Sequence, residues 1–140
     1  MIKIKIISVG KSKESWLETA LEEYAKRLTG HIGISFVWAK DDMQLIQLVE
    51  REGAVICLDP EGKLMSSLDF SVFFQKQVEK SGARLAFVIG GADGLPRSLK
   101  GNDPLISLSR LTFTHQLTRL VLVEQLYRAF TLTRGIPYHK

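Results

Sequence analysis

Cysteine is nearly missing from this chain: Cys57 is the single one in 140 residues. No intramolecular disulfide can form, so packing alone must hold the core, and the reducing cytoplasm is the expected compartment. Cys57 sits in the apolar run Ala-Val-Ile-Cys-Leu with no activating partner beside it. It therefore reads as a buried structural thiol and not a nucleophile. Long apolar runs are missing too, and no stretch approaches the roughly 20 residues of a membrane span. The opening Met-Ile-Lys-Ile-Lys-Ile alternates charge with isoleucine, unlike the continuous apolar centre of a signal peptide. His31, His115 and His139 stand far apart. No cluster of His, Cys and carboxylate has metal-ligand spacing, so no metal is expected. A Gly-x-x-x-x-Gly-Lys-Ser/Thr phosphate loop is also lacking, which removes P-loop nucleotide chemistry.

What is present suits one globular domain over residues 1–140, with 45% hydrophobic and 24% charged residues. The net charge is +4, and its placement is uneven. Residues 1–109 are neutral in sum. The whole excess lies in residues 110–140, where Arg110, Arg119, Arg128, Arg134 and Lys140 face a single acid, Glu124. A polyanionic partner would account for this, and so would chance placement on a solvated helix.

Strands and helices alternate with short connections, the pattern of an α/β domain with a mostly parallel sheet. Strands are predicted at 2–9, 34–38, 54–58, 85–89 and 104–108, the fourth apolar throughout and therefore central. Helices are predicted at 13–28 with Ser12 as cap, after Asp41 or Asp42, at 68–80 capped by Ser66 or Ser67, and at 115–133. Gly82 and Gly135 are the expected stops. The Asp-Pro-Glu-Gly-Lys stretch at 59–63 reads as a turn closing the third strand.

Three strand ends then converge, since ligands of open α/β sheets sit beyond the strand carboxyl ends. They are Leu58 onward, Gly90-Gly91-Ala92-Asp93-Gly94, and Leu108 to Phe113. The glycine stretch fails the Gly-x-Gly-x-x-Gly spacing, and Pro96 stands where a long helix should run. A nicotinamide site is thereby excluded; a bare turn and a pocket for another nucleoside-like cofactor both stay open.

The last helix carries Leu120-Val121-Leu122-Val123, apolar on all sides, which calls for burial beyond one domain's interior and points to a subunit interface. Glu124 within it precedes Arg128 at the favourable i,i+4 spacing. The pair either holds the helix or faces a polar substrate. Tyr138-His139-Lys140 are either a frayed end or a surface for an RNA base and phosphate.

Together Leu-Asp-Pro-Glu-Gly-Lys, FVIGGADGLP, SLSRLTFTHQLTRLVLVEQLYRAF and RGIPYHK closely resemble the RlmH family, small SPOUT-superfamily methyltransferases acting on a pseudouridine of large-subunit (23S) ribosomal RNA. The resemblance covers nearly the whole chain. It implies a homodimer, a C-terminal trefoil knot, and S-adenosylmethionine as the cofactor that donates a methyl group to pseudouridine N3, on the assembled ribosome. By motif match Leu58, Gly90, Leu108, Ser109, Arg110, Leu111, Thr112 and Phe113 would line the cofactor pocket, with Gly90 and Gly91 leaving room for the ligand. Glu124, Arg128, Tyr138 and His139 would be catalytic. In this reading Arg128 orients the base, Glu124 positions Arg128 or a residue of the last segment, and His139 accepts the proton. The region between Trp38 and Ala54 is shorter than the family pattern. The rival readings are a non-catalytic RNA- or ribosome-binding module and a SPOUT methyltransferase with a different target nucleotide.

Overall fold

The computed structural model describes residues 1–11, 14–101 and 104–140. Five strands, β1 (Ile2–Val9), β2 (Ile32–Ala39), β3 (Val55–Leu64), β4 (Arg84–Ile89) and β5 (Leu105–Ser107), form one sheet in the order β2-β1-β4-β3-β5. Every neighbouring pair is parallel. The apolar pattern dictates what surrounds it. In β4, Leu85, Phe87 and Ile89 join one core cluster and Ala86 and Val88 the other, all of them buried. A strand buried on both faces needs helices on both sides and a central place in the sheet, which β4 has between β1 and β3.

On the first face lie α1 (Ser15–Arg27), α3 (Ser67–Ser81) and α5 (His115–Arg134), through Leu17, Leu21, Phe70, Phe74, Leu122 and Leu126. The second face is covered by α2 (Asp42–Glu50) and α4 (Arg97–Lys100), through Leu45, Val49 and Leu99. Burying a leucine of this kind stabilises the fold by roughly 1.5–3 kcal/mol, so α5, with Leu122 and Leu126 fully buried, is firmly anchored to the sheet. Its ends are fixed as well. The Thr114 hydroxyl accepts from Leu117 N–H at 3.2 Å, and Gly135 takes the left-handed φ of 67° that closes the helix. Asp41 and Ser66 cap α2 and α3 in the same way. The cap expected at Ser12, and Lys13 after it, lie outside the described residues; Glu14 is the residue before α1.

Two elements differ from the sequence-based expectation. The stretch 59–63 is not a turn that ends β3, because the strand continues to Leu64. Ile106 of β5 pairs first with Leu58 and then with Lys63, so residues 59–62 leave the ladder and return to it. Pro60 and Gly62 supply turn chemistry, but inside an edge-proximal strand it makes a bulge. The short helix α4 was not expected at all. Pro96, read as a breaker, stands directly before it with φ of −55°, a value suited to starting a helix as much as to ending one.

Candidate active site

The carboxyl ends of β3 and β4 and the segment after β5 do meet, in an open cleft of about 120 Å³. Leu58, Gly90, Leu108, Ser109, Leu111, Thr112 and Phe113 line it, as expected of them. Arg110 does not. Its guanidinium turns back onto the β3 bulge, where Nη1 donates to the carbonyls of Pro60 and, at 2.9 Å, Gly62. Arg110 therefore fastens the segment after β5 to β3 and shapes the wall without facing the cavity.

Glycine is required here for a reason other than ligand access. A Cβ on Gly62 would come within 2.6 Å of the Ile106 backbone, and one on Gly90 would strike the backbone of Gly94 and Leu95. The loop after β4 closes on itself, with Gly94 N–H bonded to the Gly91 carbonyl at 3.0 Å and Gly94 at φ 83°. The space beside Gly90 thus belongs to the protein's own chain, which corrects the expectation that it is kept for a ligand. What the cleft receives at Gly90, Gly91 and Gly94 is peptide backbone without side chains.

Leu95, His115 and Thr118 also line the cleft and escaped sequence reading. Asp59 lies in the first of the three strand ends, where the stretch read as turn chemistry. It is buried, its Oδ2 has no hydrogen-bond partner among the described residues, and Lys100 Nζ is 3.7 Å away. His115 opens α5, and burial, with the Arg119 charge adding to it, holds its pKa below the ordinary histidine value. Behind it Arg119 is fully buried. Its Nε donates to Ser8 Oγ at 2.8 Å, its Nη2 donates to the Gly10 carbonyl, and its guanidinium lies 4.2 Å from the centre of the Trp38 ring. Burial lowers its pKa to about 10. Arg119 ties the first turns of α5 to the end of β1, so the helix end that borders the cleft is held by a buried cation.

The remaining expected residues form a separate cluster where α5 meets α1. Glu124 Oε1 accepts from Arg128 Nη2 at 2.7 Å, Arg128 Nε at 3.0 Å and the Tyr138 hydroxyl at 3.3 Å, while Oε2 accepts from Gln125 at 3.1 Å. Arg128 Nη1 is 2.9 Å from His139 Nδ1. A guanidinium only donates, so Nδ1 must accept, and a neutral His139 then carries its proton on Nε2. The Tyr138 hydroxyl is pushed up in pKa by burial first, then by Tyr24 and Glu124, and it remains a donor at neutral pH. Its ring packs edge-on against Tyr127 with centroids 4.7 Å apart. Residues 138 and 139 are therefore docked on α5 and not frayed. None of Glu124, Arg128, Tyr138 and His139 lines the cleft, so one chain does not bring the two sets together.

The cationic excess of the last segment is also smaller at the surface than the composition implies. Arg119, one of its five cations, is internal, while Arg110 stays exposed with its guanidinium held on backbone carbonyls. Among the described residues no group of His, Cys, Asp and Glu could hold a metal, and no helix is long and apolar enough to cross a membrane.

A parallel sheet between helices, with a backbone-lined cleft at the strand ends, is the architecture of the SPOUT methyltransferases. The crystal structure of TrmJ from Z. mobilis ZM4 superposes with a TM-score of 0.54 at 7% identity, over 94% of this chain and 70% of that one. A probable methylase family protein from Haemophilus influenzae Rd KW20 does so with a TM-score of 0.53 at 14% identity, over 94% and 66%. These likenesses establish the fold. Residues 2–139 match the family model described as predicted SPOUT methyltransferase. The chain is 54% identical over its full length to the full length of ribosomal RNA large subunit methyltransferase H of Protochlamydia amoebophila. With the protein of the same name from Listeria welshimeri the identity is 42%, over 99% of this chain and 100% of that one. The chain belongs to the RlmH family of SPOUT methyltransferases.

SPOUT methyltransferases use S-adenosylmethionine as methyl donor. The residues present fit that group: an apolar-walled cleft, peptide groups at its rim, and the carboxylate residue Asp59 in its lining.

Proposed function

We propose that this protein is a large-subunit ribosomal RNA methyltransferase that methylates N3 of a pseudouridine, acting in the cytoplasm on the assembled ribosome, as one SPOUT domain over residues 1–140. The observation that carries the reading is the cleft built from three strand ends in a chain 54% identical, end to end, to a ribosomal RNA large subunit methyltransferase H. S-adenosylmethionine, when bound, supplies a methyl group already activated by its sulfonium centre, so no metal is called for. Leu58, the Gly90 loop and the segment from Leu108 to Phe113 would hold the donor, in the trefoil-knotted arrangement that the family resemblance implies.

The protein's own task is to orient the base and remove its N3 proton. Arg128 serves the base through its guanidinium, stabilising negative charge as the proton leaves, and Glu124 holds Arg128 in place. His139 is the proton acceptor. Its Nδ1 lone pair is engaged by Arg128 and is freed to accept when Arg128 turns toward the substrate. Arrival of the base and release of the acceptor are thus one event.

These groups reach the cleft through a homodimer, in which the α5 cluster of one protomer faces the cleft of the other. Exposed apolar side chains support such an interface. Leu64, Leu68 and Val72 are 48%, 57% and 54% exposed, and Leu117 of α5 is 41% exposed. The start of α3 and the middle of α5 adjoin, since Ser67 Oγ donates to Gln125 at 2.8 Å, so Leu68 and Val72 present exposed apolar area beside α5, as protein interfaces do.

The test is labelled methyl transfer from S-adenosylmethionine to whole ribosomes, separate subunits and naked ribosomal RNA, with mapping of the modified base. Label at N3 of a pseudouridine on whole ribosomes is expected. Ribosomes lacking that pseudouridine should take up none; equal labelling of them would refute the target. Deleting residues 138–140 should abolish transfer and spare donor binding.

A further inference from the structure

The buried carboxylate of Asp59 has no task in the reading so far. It stands where β3 leaves the ladder opposite Ile106, lines the cleft and is 8% exposed. Among the described residues Lys100 alone balances its charge, with Nζ 3.7 Å from Oδ2 and so beyond hydrogen-bond distance, and none of them donates a hydrogen bond to Oδ2. A buried acceptor of this kind is unfavourable unless something donates to it. The bulge that carries it is held rigidly, by the Gly62–Ile106 approach on one side and by Arg110 on the other. A rigid, desolvated carboxylate at a strand carboxyl end has a well-understood use in nucleoside recognition, namely accepting from ribose hydroxyls.

We propose that Asp59 is the ribose-recognition residue of this site, its carboxylate accepting a hydroxyl hydrogen from the ribose of the methyl donor, with Lys100, on the Oδ2 side, as its counter-ion. The choice of donor follows from charge. Lys100 already offsets the carboxylate, so what remains is a neutral acceptor, suited to a hydroxyl and not to the ammonium of the methionine part. The assignment rests on the reading of the cleft as the donor site. It implies that the adenosine half alone feels Asp59 and that ligands without the ribose hydroxyls do not.

Calorimetry on the intact protein tests this with Asp59→Asn, which keeps the size of the side chain and removes its charge. The probes are S-adenosylmethionine, 5′-methylthioadenosine and the 2′,3′-dideoxy form of methylthioadenosine, the weaker two read by competition. Thermal unfolding of both proteins runs in parallel. We expect at least a ten-fold loss for the first two probes, an unchanged affinity for the dideoxy compound, and nearly unchanged unfolding. Loss for S-adenosylmethionine alone assigns the carboxylate to the ammonium and overturns the proposal. So does an equal loss for all three probes, the mark of a merely structural residue. Asp59→Asn binding like wild type overturns it while leaving the cleft as the donor site. Failure of the wild-type protein to bind S-adenosylmethionine overturns the reading of the cleft and the assignment with it.

Discussion

Replacing Arg119 with methionine sets two large effects against each other. The side chain is fully buried, and a guanidinium held near 10 instead of its ordinary 12.5 carries a burial penalty of about 3 kcal/mol at neutral pH. The sign follows from the direction of the shift. The unfolded chain holds the proton more tightly, so the penalty is present in full below about 10 and is relieved as pH rises toward 12.5. Methionine removes that penalty and keeps much of the apolar stem. It also removes the bonds to Ser8 and to the Gly10 carbonyl and the stacking on Trp38. Hydrogen bonds to a charged donor contribute about 1.5–3 kcal/mol each, and a desolvated cation–π contact about 2 kcal/mol. The losses sum to roughly 5–8 kcal/mol, so the net effect is a destabilisation of about 2–5 kcal/mol. In Tm this is a fall of roughly 5–15 °C. Urea unfolding of wild type, Arg119→Met and Arg119→Lys measures it at a fixed protein concentration. Lysine lacks the planar fork and should fall between the other two. An Arg119→Met protein as stable as wild type would show that desolvation outweighs the bonds. Because His115 and Thr118 border the cleft from the same end of α5, donor affinity should fall together with stability.

Other perturbations have equally definite outcomes. Gly62→Ala places a methyl 2.6 Å from the Ile106 backbone; by overpacking it should lower stability by about 1–3 kcal/mol and weaken S-adenosylmethionine binding, both readable by thermal shift with and without the donor. His115 has a pKa lowered from 6.5 by burial and by Arg119, so its contribution to stability is present above 6.5 and is lost as pH falls through the folded value. His115→Asn should therefore flatten the acid side of the stability–pH curve, and an unchanged slope counts against the shift. Cys57 is fully buried and its thiol is pushed up to about 11, so a thiol reagent at pH 8 should label it only at the rate of unfolding; prompt labelling of the native protein contradicts the packing.

The parts of the fold legible in the sequence were those governed by local chemistry. Gly82 and Gly135 end their helices because each takes a left-handed φ, 66° and 67°. Asp41 and Ser66 cap theirs through the side-chain oxygen. β4 was central because Leu85 to Ile89 is apolar throughout. The parts that stayed hidden depend on what the chain meets far away. Nothing within residues 59–63 says that β3 resumes, since Ile106 provides the second half of the ladder. Arginine on a helix reads as surface charge, and Arg119 is internal only because Ser8, Gly10 and Trp38, about a hundred residues earlier, form a polar niche for it. The cleft's position was legible from three strand ends. The Glu124–Arg128 pair was legible from its spacing, but its separation from the cleft was not, because which face of a helix meets which groove is settled by packing.

The β3 bulge, wedged between Ile106 and Arg110, has a consequence for how this protein matures. The wall that would grip the methyl donor is borrowed from two stretches some fifty residues apart, and β5 must dock before it exists. Such distant pairings form late, because the chain must first close a long loop. A chain still emerging from the ribosome would present most of its sheet with no donor site at all, and binding of the donor becomes a gauge of completed folding.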